Sequence, residues 1–396
     1  MVDYVATRRD SRRARAALPR ADVASFVWRL DWVLLAAVAA LVGIGLWAIG
    51  GITRDDVPGD SDYYFVRQAL FATVGAAGLV LALVLDPELL RRYKRPLYGA
   101  MVGLVLVVLL AGAVERGSRR WIDIGSFRLQ PSEFAKVLFV LCLAAFLADN
   151  ARRIREHRTV LAAVALALPP VVLVFLQPDI GTALAYGAAL FAVLFFAGVR
   201  WLHLGLLAGV AGLAAVAILW ALPAVGVEVL KPYQVDRLTA FTNPDEDPGG
   251  ITYNVNQSVT AVGAGGVRGR GVSGATQTNL DYLPEHATDF VFASFAEQRG
   301  FVGAALLLAL YLLVVWRGLR IVTVAGSAFS AIVAGGIVGL LLFQIAINVG
   351  MTMGIAPVTG IPLPFVSVGG SSMITNLVAV GLLLGICARG RSGGRS

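Results

Sequence analysis

The chain has 396 residues, of which 58% are hydrophobic and only 15% are charged, and its formal net charge is +8. Because a soluble domain carries about 25% charged residues, this composition excludes a soluble globular protein, a disordered chain and a nucleic-acid binder. The 44 glycines are typical of closely packed membrane helices. The composition therefore predicts a polytopic membrane protein.

Uncharged runs long enough to cross a bilayer recur along the whole sequence. A membrane-spanning helix needs about 20 apolar residues. The predicted spans are residues 32–53, 68–85, 96–114, 132–148, 159–178, 180–199, 204–227 and 290–316, followed by two spans within 321–388. Prolines and glycines at 350–371 separate the last two. The fold class that follows is an all-α polytopic membrane protein with ten transmembrane helices.

The distribution of basic residues gives the orientation of these spans. Most of the 33 lysines and arginines fall in the N-terminal arm, in the short loops on the same side and in the C-terminal tail. The positive-inside rule then places both termini in the cytoplasm. This divides the chain into a basic cytoplasmic arm at 1–30, a membrane domain at 31–388 and a cytoplasmic tail at 389–396. The arm has no early apolar core, so the first span is expected to remain as an anchor. A long extracytoplasmic loop, about 223–289, joins spans 7 and 8.

The first candidate site lies where the outer loop after span 3 enters span 4. Arg120 precedes this entry, Gln130 sits just before it, and Pro131 suits the first position of a helix. Glu133 and Lys136 are three residues apart and share a helix face. An ionisable pair entering the membrane is costly and usually faces a cavity, while a helix start with nearby cations can bind an anion. A purely structural ion pair explains Glu133 and Lys136 equally well.

The second candidate site is the break between spans 5 and 6. It reads Gln177-Pro178-Asp179, and Asp179 either caps the sixth helix or joins a site. The turn places its carboxylate on the same side as Arg120.

The long outer loop supplies the third candidate site. Tyr233, Gln234 and Arg237 come first, Gln257 follows, and a glycine-rich stretch at 263–271 can hold phosphate through its backbone. A structureless loop of this length is uncommon and usually functional.

Two further outer positions complete the set. Thr288 and Asp289 precede Phe290 at the mouth of span 8, where a carboxylate beside apolar side chains suits a general base, or simply caps the helix. Ser371 ends the proline-rich stretch before span 10 and either caps that span or lines a cavity. Since all these features face outward, we expect them to converge on one outer cavity.

Six segments of the sequence resemble the SEDS family (shape, elongation, division and sporulation), and they run in the family's order between about residues 30 and 388. These segments are RRWIDIG…QPSEFAK, QPDIGTAL, YQVDRLTAF, NQSVTAVGAGG…GRG, LPEHATDFVF and GIPLPFVSVGGSS. The resemblance implies a peptidoglycan glycosyltransferase of the bacterial cytoplasmic membrane. Such an enzyme polymerises lipid II into β-1,4 glycan strands, releases undecaprenyl diphosphate and works with a class B penicillin-binding protein, a transpeptidase.

The resemblance also implies roles for individual residues. Asp289 matches the essential acidic residue of the family and is expected to act as catalytic base. Arg120 and Lys136 are expected to hold diphosphate, Glu133 to orient Lys136, and Asp179 to order the cavity. Supporting roles are expected for Gln130, Gln177, Tyr233, Gln234, Arg237, Gln257, Thr288 and Ser371.

Some features depart from the family pattern or leave alternatives open. The histidine that usually stands directly before Thr-Asp is one position earlier, at His286, and Val368 replaces a frequent tyrosine. The RodA branch, with a role in elongation and cell shape, is favoured over an FtsW-like division role. A lipid II flippase and a scaffold for a cell-wall synthase are the alternative functions.

No cofactor is evident from the sequence. The three histidines and two cysteines are too scattered to predict a metal cluster. A divalent cation between diphosphate and a carboxylate stays open.

Overall fold

The computed structural model describes residues 22–115, 118–125, 127–227, 229–239 and 250–393. Most of the predicted N-terminal arm and the end of the predicted tail lie outside this part. The helices are α1 (Asp22–Trp28), α2 (Trp32–Ile52), α3 (Tyr63–Val84), α4 (Pro87–Arg92), α5 (Lys94–Ala111), α6 (Pro131–Asp149), α7 (His157–Leu176), α8 (Ile180–Ala197), α9 (Trp201–Val216), α10 (Leu222–Ala224), α11 (Pro232–Thr239), α12 (Ile251–Ala264), α13 (Thr276–Asn279), α14 (Val291–Val324), α15 (Ala328–Thr352) and α16 (Gly370–Gly393). A 3₁₀ turn (Ala151–Arg153) follows α6, and a π-helical turn (Ala217–Ala221) joins α9 to α10.

Ten helical segments of the described chain are long and apolar enough to cross a membrane. They are α2, α3, α5, α6, α7, α8, the continuous run Trp201–Ala224, α14, α15 and α16. This confirms the prediction of ten spans. The largest boundary difference is in the eighth span, which continues to Val324 because the apolar face of the helix extends past its basic residues.

A small antiparallel sheet qualifies the all-α prediction. Its strands β1 (Ala113–Glu115), β2 (Ser118–Ile124) and β3 (Phe127–Leu129) pair in the order β1-β2-β3 and lie between α5 and α6. The segment is too short and too polar to span the bilayer, so it satisfies its backbone hydrogen bonds by pairing strands outside the apolar region.

Three spans form the centre of the bundle. In the apolar stretches of α16, α6 and α15, 89%, 78% and 67% of residues are buried, against 6% in the seventh span, Trp201–Ala224. Glycines on α15 permit the close approach: a Cβ on Gly336 would lie 2.7 Å from side-chain carbons of Val140 and Val193. This contact agrees with the glycine content, because small residues let membrane helices pack closely.

The two ends of the bundle differ. At one end, which we call the inner end, Arg317 of α14 pairs with Asp31, and Arg391 of α16 donates to the carbonyls of Arg29 and Leu30. The start of α2 and the ends of α14 and α16 therefore meet there. The opposite end, the outer end, carries the described parts of the connections at 53–62, 112–130, 177–179, 225–290 and 353–369.

The long connection at the outer end contains helices α11, α12 and α13, so the prediction of a structureless loop was wrong. Apolar residues spaced along α12 pack in a small core of their own with Phe290 and Val358. The spacing of these apolar residues could be seen in the sequence, but the polar residues between them made the helical pattern hard to recognise.

The glycine-rich stretch at 263–271 packs against a break in α14. Gly300 has φ 67° and interrupts the helix, and the carbonyls of Glu297 and Gln298 then accept hydrogen bonds from the amides of Arg270 and Gly271. A Cβ on Gly269 would lie 2.3 Å from the Gln298 carbonyl oxygen. These glycines thus permit backbone contact with α14, and the amides of residues 269–271 are engaged in hydrogen bonds within the protein.

Candidate active site at the outer end

A buried ion pair lies at the outer start of α6. Lys136 Nζ is 2.7 Å from Glu133 Oε1, and the two side chains are only 3% and 4% exposed. Pro131 occupies the first helical turn, as the sequence predicts. Among the residues that the structure describes, Glu133 Oε2 and Ser132 Oγ have no hydrogen-bond partner. The pair is therefore buried but only partly satisfied by the protein.

Asp179 both caps α8 and joins a polar network. Its carboxylate accepts hydrogen bonds from the backbone amide and the hydroxyl of Thr182, at 3.0 and 2.9 Å. Gln130 Nε2 donates to it at 3.1 Å, and Arg120 Nη1 lies 3.9 Å away. The two interpretations of Asp179, a cap or a site residue, are compatible in this arrangement.

Arg120 reaches this network from strand β2. Alternate residues of a strand face opposite sides, so Arg120 turns inward while its neighbour Arg119 is exposed. Arg120 donates to the Pro178 carbonyl, and its Nε is buried without a partner among the described residues. The described residues therefore leave one buried donor of the guanidinium, Nε, without a hydrogen bond.

Gln130 and Ser371 join the starts of two central spans. The backbone amide of Gln130 donates to Ser371 Oγ at 2.8 Å. The Ser371 hydroxyl therefore satisfies a backbone donor at the entry to α6 while standing at the start of α16. Gln177, in contrast, is buried and donates to the Val105 carbonyl in α5 at 2.7 Å, which is a packing contact between spans.

Asp289 is half-buried at the end of a tight turn that leads into α14. The amides of Thr288 and Phe290 both donate to the carbonyl of Glu285, at 3.2 and 3.1 Å. The Thr288 hydroxyl donates to the Glu285 carboxylate at 2.9 Å. The hydroxyl of Thr288 thus supports the turn that presents Asp289.

The connection between α15 and α16 holds this turn from the other side. Ser367 Oγ donates to the Thr288 carbonyl at 2.6 Å, and the amide of Val368 donates to the Ala287 carbonyl at 2.9 Å. Because Val368 acts through its backbone, the departure from the family's tyrosine leaves this contact intact.

Asn348 contacts the candidate site and was missed by the sequence analysis. Its Nδ2 donates to the carbonyls of Asp289 and Ile361, both at 2.9 Å. Gln344 lies one turn away on the same face of α15, and both side chains are fully buried. Two side-chain amides, four residues apart in an otherwise apolar span, could have indicated in the sequence that this face of α15 has a function.

Arg237 and Asp289 meet at Gly360. A Cβ on Gly360 would lie 3.3 Å from Arg237 Nη1 and 3.4 Å from Asp289 Oδ2. The Arg237 carbonyl accepts the amide of Val358 at 3.1 Å, which attaches α11 to the same connection. The guanidinium and the carboxylate therefore border one space, which a Cβ at position 360 would enter.

The two groups of side chains, around Asp179 and around Asp289, are neighbours. A Cβ on Gly181 would lie 2.2 Å from the Thr359 carbonyl oxygen, so the start of α8 touches the residue before Gly360. A small cavity between them is lined by Pro178, Ile180, Tyr233, Gln234, Arg237, Leu238, Val358 and Thr359. Tyr233 donates a hydrogen bond to the Pro178 carbonyl at 3.5 Å.

Two predicted supporting residues have other positions. Gln234 Oε1 accepts a hydrogen bond from the Lys231 amide and stabilises the start of α11. Gln257 lies half-buried on α12, outside the lining of the cavity.

One end of the membrane bundle therefore holds a carboxylate that could act as a base, two arginines and a buried lysine. These are Asp289, Arg120, Arg237 and Lys136. Such a site can remove a proton from a substrate and offset negative charge that develops on an anionic leaving group.

A family model described as the FtsW/RodA/SpoVE cell cycle proteins matches residues 29–392. The chain belongs to this family. The SEDS resemblance seen in the sequence is thereby confirmed. Together with the ten spans, this makes the chain a multi-pass protein of the bacterial inner membrane.

Relatives in the family come from more than one branch. The stage V sporulation protein E of Bacillus subtilis is 36% identical over 362 residues, covering 90% of this chain and 96% of the relative. The peptidoglycan glycosyltransferase MrdB of Escherichia coli is 38% identical over 314 residues, covering 78% and 83%.

A solved structure of the family has the same fold. It is a chain from a study of how a peptidoglycan synthase complex coordinates polymerization and crosslinking. The two chains superpose with a TM-score of 0.77 at 32% identity, covering 93% of this chain and 99% of the other.

Proposed function

We infer that the chain is a peptidoglycan glycosyltransferase of cell-wall synthesis. Its family and its likeness to MrdB support this function. One observation indicates where the reaction takes place. The Asp289 carboxylate and the Arg237 guanidinium border a space at Gly360. The Arg120–Asp179 network lies next to this space.

In the proposed reaction, Asp289 is the general base. It accepts the proton of the GlcNAc 4-hydroxyl of one lipid II-derived strand as that oxygen attacks C1 of MurNAc on the other. The bond from C1 to the diphosphate oxygen breaks, undecaprenyl diphosphate leaves, and a β-1,4 bond forms with inversion.

Arg120 is the cation best placed for the leaving group. It is half-buried, it neighbours Asp179, and its Nε has no partner among the described residues. A hydrogen bond from a guanidinium to a diphosphate oxygen strengthens as charge builds there. Lys136 contributes positive charge from a deeper position, where Glu133 fixes its ammonium group.

The predicted orientation places the outer end on the extracytoplasmic side, where the sugars of lipid II are found after transport. A class B penicillin-binding protein is the proposed partner, since a similar structure comes from a complex that couples polymerization to crosslinking. We place the chain in the RodA branch, with a role in elongation and cell shape, as the sequence pattern favours.

The decisive experiment uses the purified chain with its partner in proteoliposomes that contain labelled lipid II. Wild type should make glycan chains, Asp289→Asn should abolish them, and Asp60→Asn, which neutralises an exposed carboxylate of another outer loop, should polymerise normally. Asn is nearly isosteric with Asp, so loss of activity reports on the charge. Normal polymerisation by Asp289→Asn would refute the base. A wild type that only translocates lipid II would instead support a flippase.

A further inference from the structure

The backbone that carries Asp289 is held by α15 and by the connection that follows it. The hydrogen bonds of α14 begin at the Phe290 carbonyl. The three carbonyls before it, at positions 287 to 289, accept hydrogen bonds from donors outside α14. In chain order, these donors are the Val368 amide, the Ser367 hydroxyl and the Asn348 side-chain amide. The position of the Asp289 main chain thus depends on contacts that α14 itself does not make.

Asn348 is the donor among these three that lies within a membrane-spanning helix. Its Nδ2 donates to the carbonyls of Asp289 and Ile361, both at 2.9 Å, so both hydrogens of the amide nitrogen are used. Ile361 directly follows Gly360, where a Cβ would lie 3.4 Å from Asp289 Oδ2. One side chain therefore fixes the Asp289 turn and the loop at Gly360 relative to each other.

The same loop also attaches the other border of the space at Gly360. The amide of Val358 donates to the Arg237 carbonyl at 3.1 Å, so α11 is joined to the loop that Asn348 holds. The spacing between the Asp289 carboxylate and the Arg237 guanidinium therefore depends on where Asn348 holds this loop.

Packing alone does not explain an asparagine at position 348. The side chain is fully buried, and its Oδ1 has no hydrogen-bond partner among the residues that the structure describes. A buried polar atom without a partner is costly, and a leucine of nearly the same size would avoid this cost. The two donated hydrogen bonds are what an apolar side chain could not supply.

We propose that Asn348 is the positioning residue of the catalytic base. It acts through Asp289 rather than on the substrate, because its amide holds the Asp289 main chain against the loop at Gly360. This role rests on the proposed function, in which Asp289 is the base. A misplacement of about 1 Å can slow catalysis about 100-fold, so two hydrogen bonds away from the reacting atoms can control turnover.

The first test separates turnover from substrate binding in proteoliposomes that contain the chain, its partner and lipid II. Asn348→Leu removes both donors at nearly constant side-chain size. Its kcat should fall about tenfold or more, while KM stays within about threefold of wild type, because Arg120 and Lys136 are unchanged. An unchanged kcat, or a loss confined to KM, would overturn the proposal.

Thr352→Val is the matched control for this test. Thr352 is also fully buried and lies one turn further along the same face of α15. Its hydroxyl donates to the Val349 carbonyl of its own helix at 2.8 Å. The variant should therefore turn over lipid II like wild type. A loss as large as that of Asn348→Leu would show that any polar substitution on this face lowers turnover, and would overturn the specific role.

A double-mutant cycle with Gly360→Ala tests whether the two residues act on the same distance. Each single change displaces Asp289 relative to the space at Gly360. The loss of kcat in the double variant should therefore be smaller than the product of the two single losses. Losses that multiply would show independent effects and would overturn the proposal.

Hydrogen exchange of the purified chain examines the turn without an activity assay. The amides of residues 286–290 should exchange about tenfold faster in Asn348→Leu than in wild type, and at the wild-type rate in Thr352→Val. Unchanged exchange in Asn348→Leu would overturn the positioning role whatever the activity. If exchange rises but wild type makes no glycan, the proposed function is wrong and the hold on the turn stands. Asn348→Ser keeps one donor and should give intermediate values, so it serves if Asn348→Leu does not fold.

Discussion

Two buried ion pairs stand at opposite ends of the bundle, and they are satisfied very differently. At the inner end, both oxygens of Asp31 accept bonds from Arg317, and one also accepts the Leu34 amide at the start of α2. At the outer end, Lys136 bonds only one oxygen of Glu133, and the other oxygen has no partner among the described residues.

We propose that this difference separates a structural pair from one held ready for a substrate. A buried ion pair stabilises a protein only when further hydrogen bonds satisfy its remaining groups. The inner pair meets this condition. The outer pair does not, and on α15, one turn from Asn348, the amide of the buried Gln344 also lacks a partner within the described chain. Unsatisfied polar atoms are costly, so their concentration beside the proposed site points to function.

The largest expected effect is on activity at the outer pair. Replacing both members, Glu133→Gln with Lys136→Met, removes two charges together, so stability should change little. Polymerisation should nevertheless fall about 100-fold or more, because the buried positive charge that supports the leaving-group site is lost. Lipid II turnover per folded molecule measures this. A double variant that is folded and fully active would show that the outer pair is as structural as the inner one.

The inner pair should give the converse result. Asp31→Ala leaves Arg317 buried without its partner and removes the α2 cap, which should cost about 3–5 kcal/mol of stability. The unfolding midpoint in detergent should fall accordingly. Activity per folded molecule should stay within about twofold of wild type, in contrast to the outer variant. Loss of turnover without loss of stability would contradict the division between the two ends.

A smaller effect is expected at Gly360, where Asp289 and Arg237 meet. Gly360 has φ 73°, so alanine is strained there by about 1–3 kcal/mol. Its Cβ would also enter the space shared by the two charged groups. We expect turnover to fall about tenfold, since a small misplacement of catalytic groups is costly. Gly226→Ala, also at positive φ but in open space, is the control for strain and should retain activity.

The smallest effect should come from Ser371→Ala. This change removes the acceptor of the Gln130 amide and should cost about 0.5–1.5 kcal/mol, because a partly buried donor loses its partner. Turnover should fall only a few-fold. Thermal unfolding and lipid II turnover measured on the same preparation would separate the two effects. A loss as large as that of the Glu133/Lys136 variant would place Ser371 in direct contact with the substrate.

Much of the site was predictable from residues that are close in sequence. Glu133 and Lys136 share a helix face because they are three apart, and Asp179 caps α8 because it directly precedes that helix. The partners of other residues were beyond reach. Asn348 holds the Asp289 turn across 59 residues of chain, and Asp56 reaches His286 across 230.

By itself, the sequence determined the ten spans, because an apolar run of about 20 residues must cross the bilayer as a helix. It also determined the family and supplied the polar residues of the candidate site. Only the tertiary structure decided which of those residues meet, because contacts between spans depend on packing and leave no periodic pattern in the chain. The space at Gly360 and the contact between Asp56 and His286 both arise from loops that the folded bundle brings together.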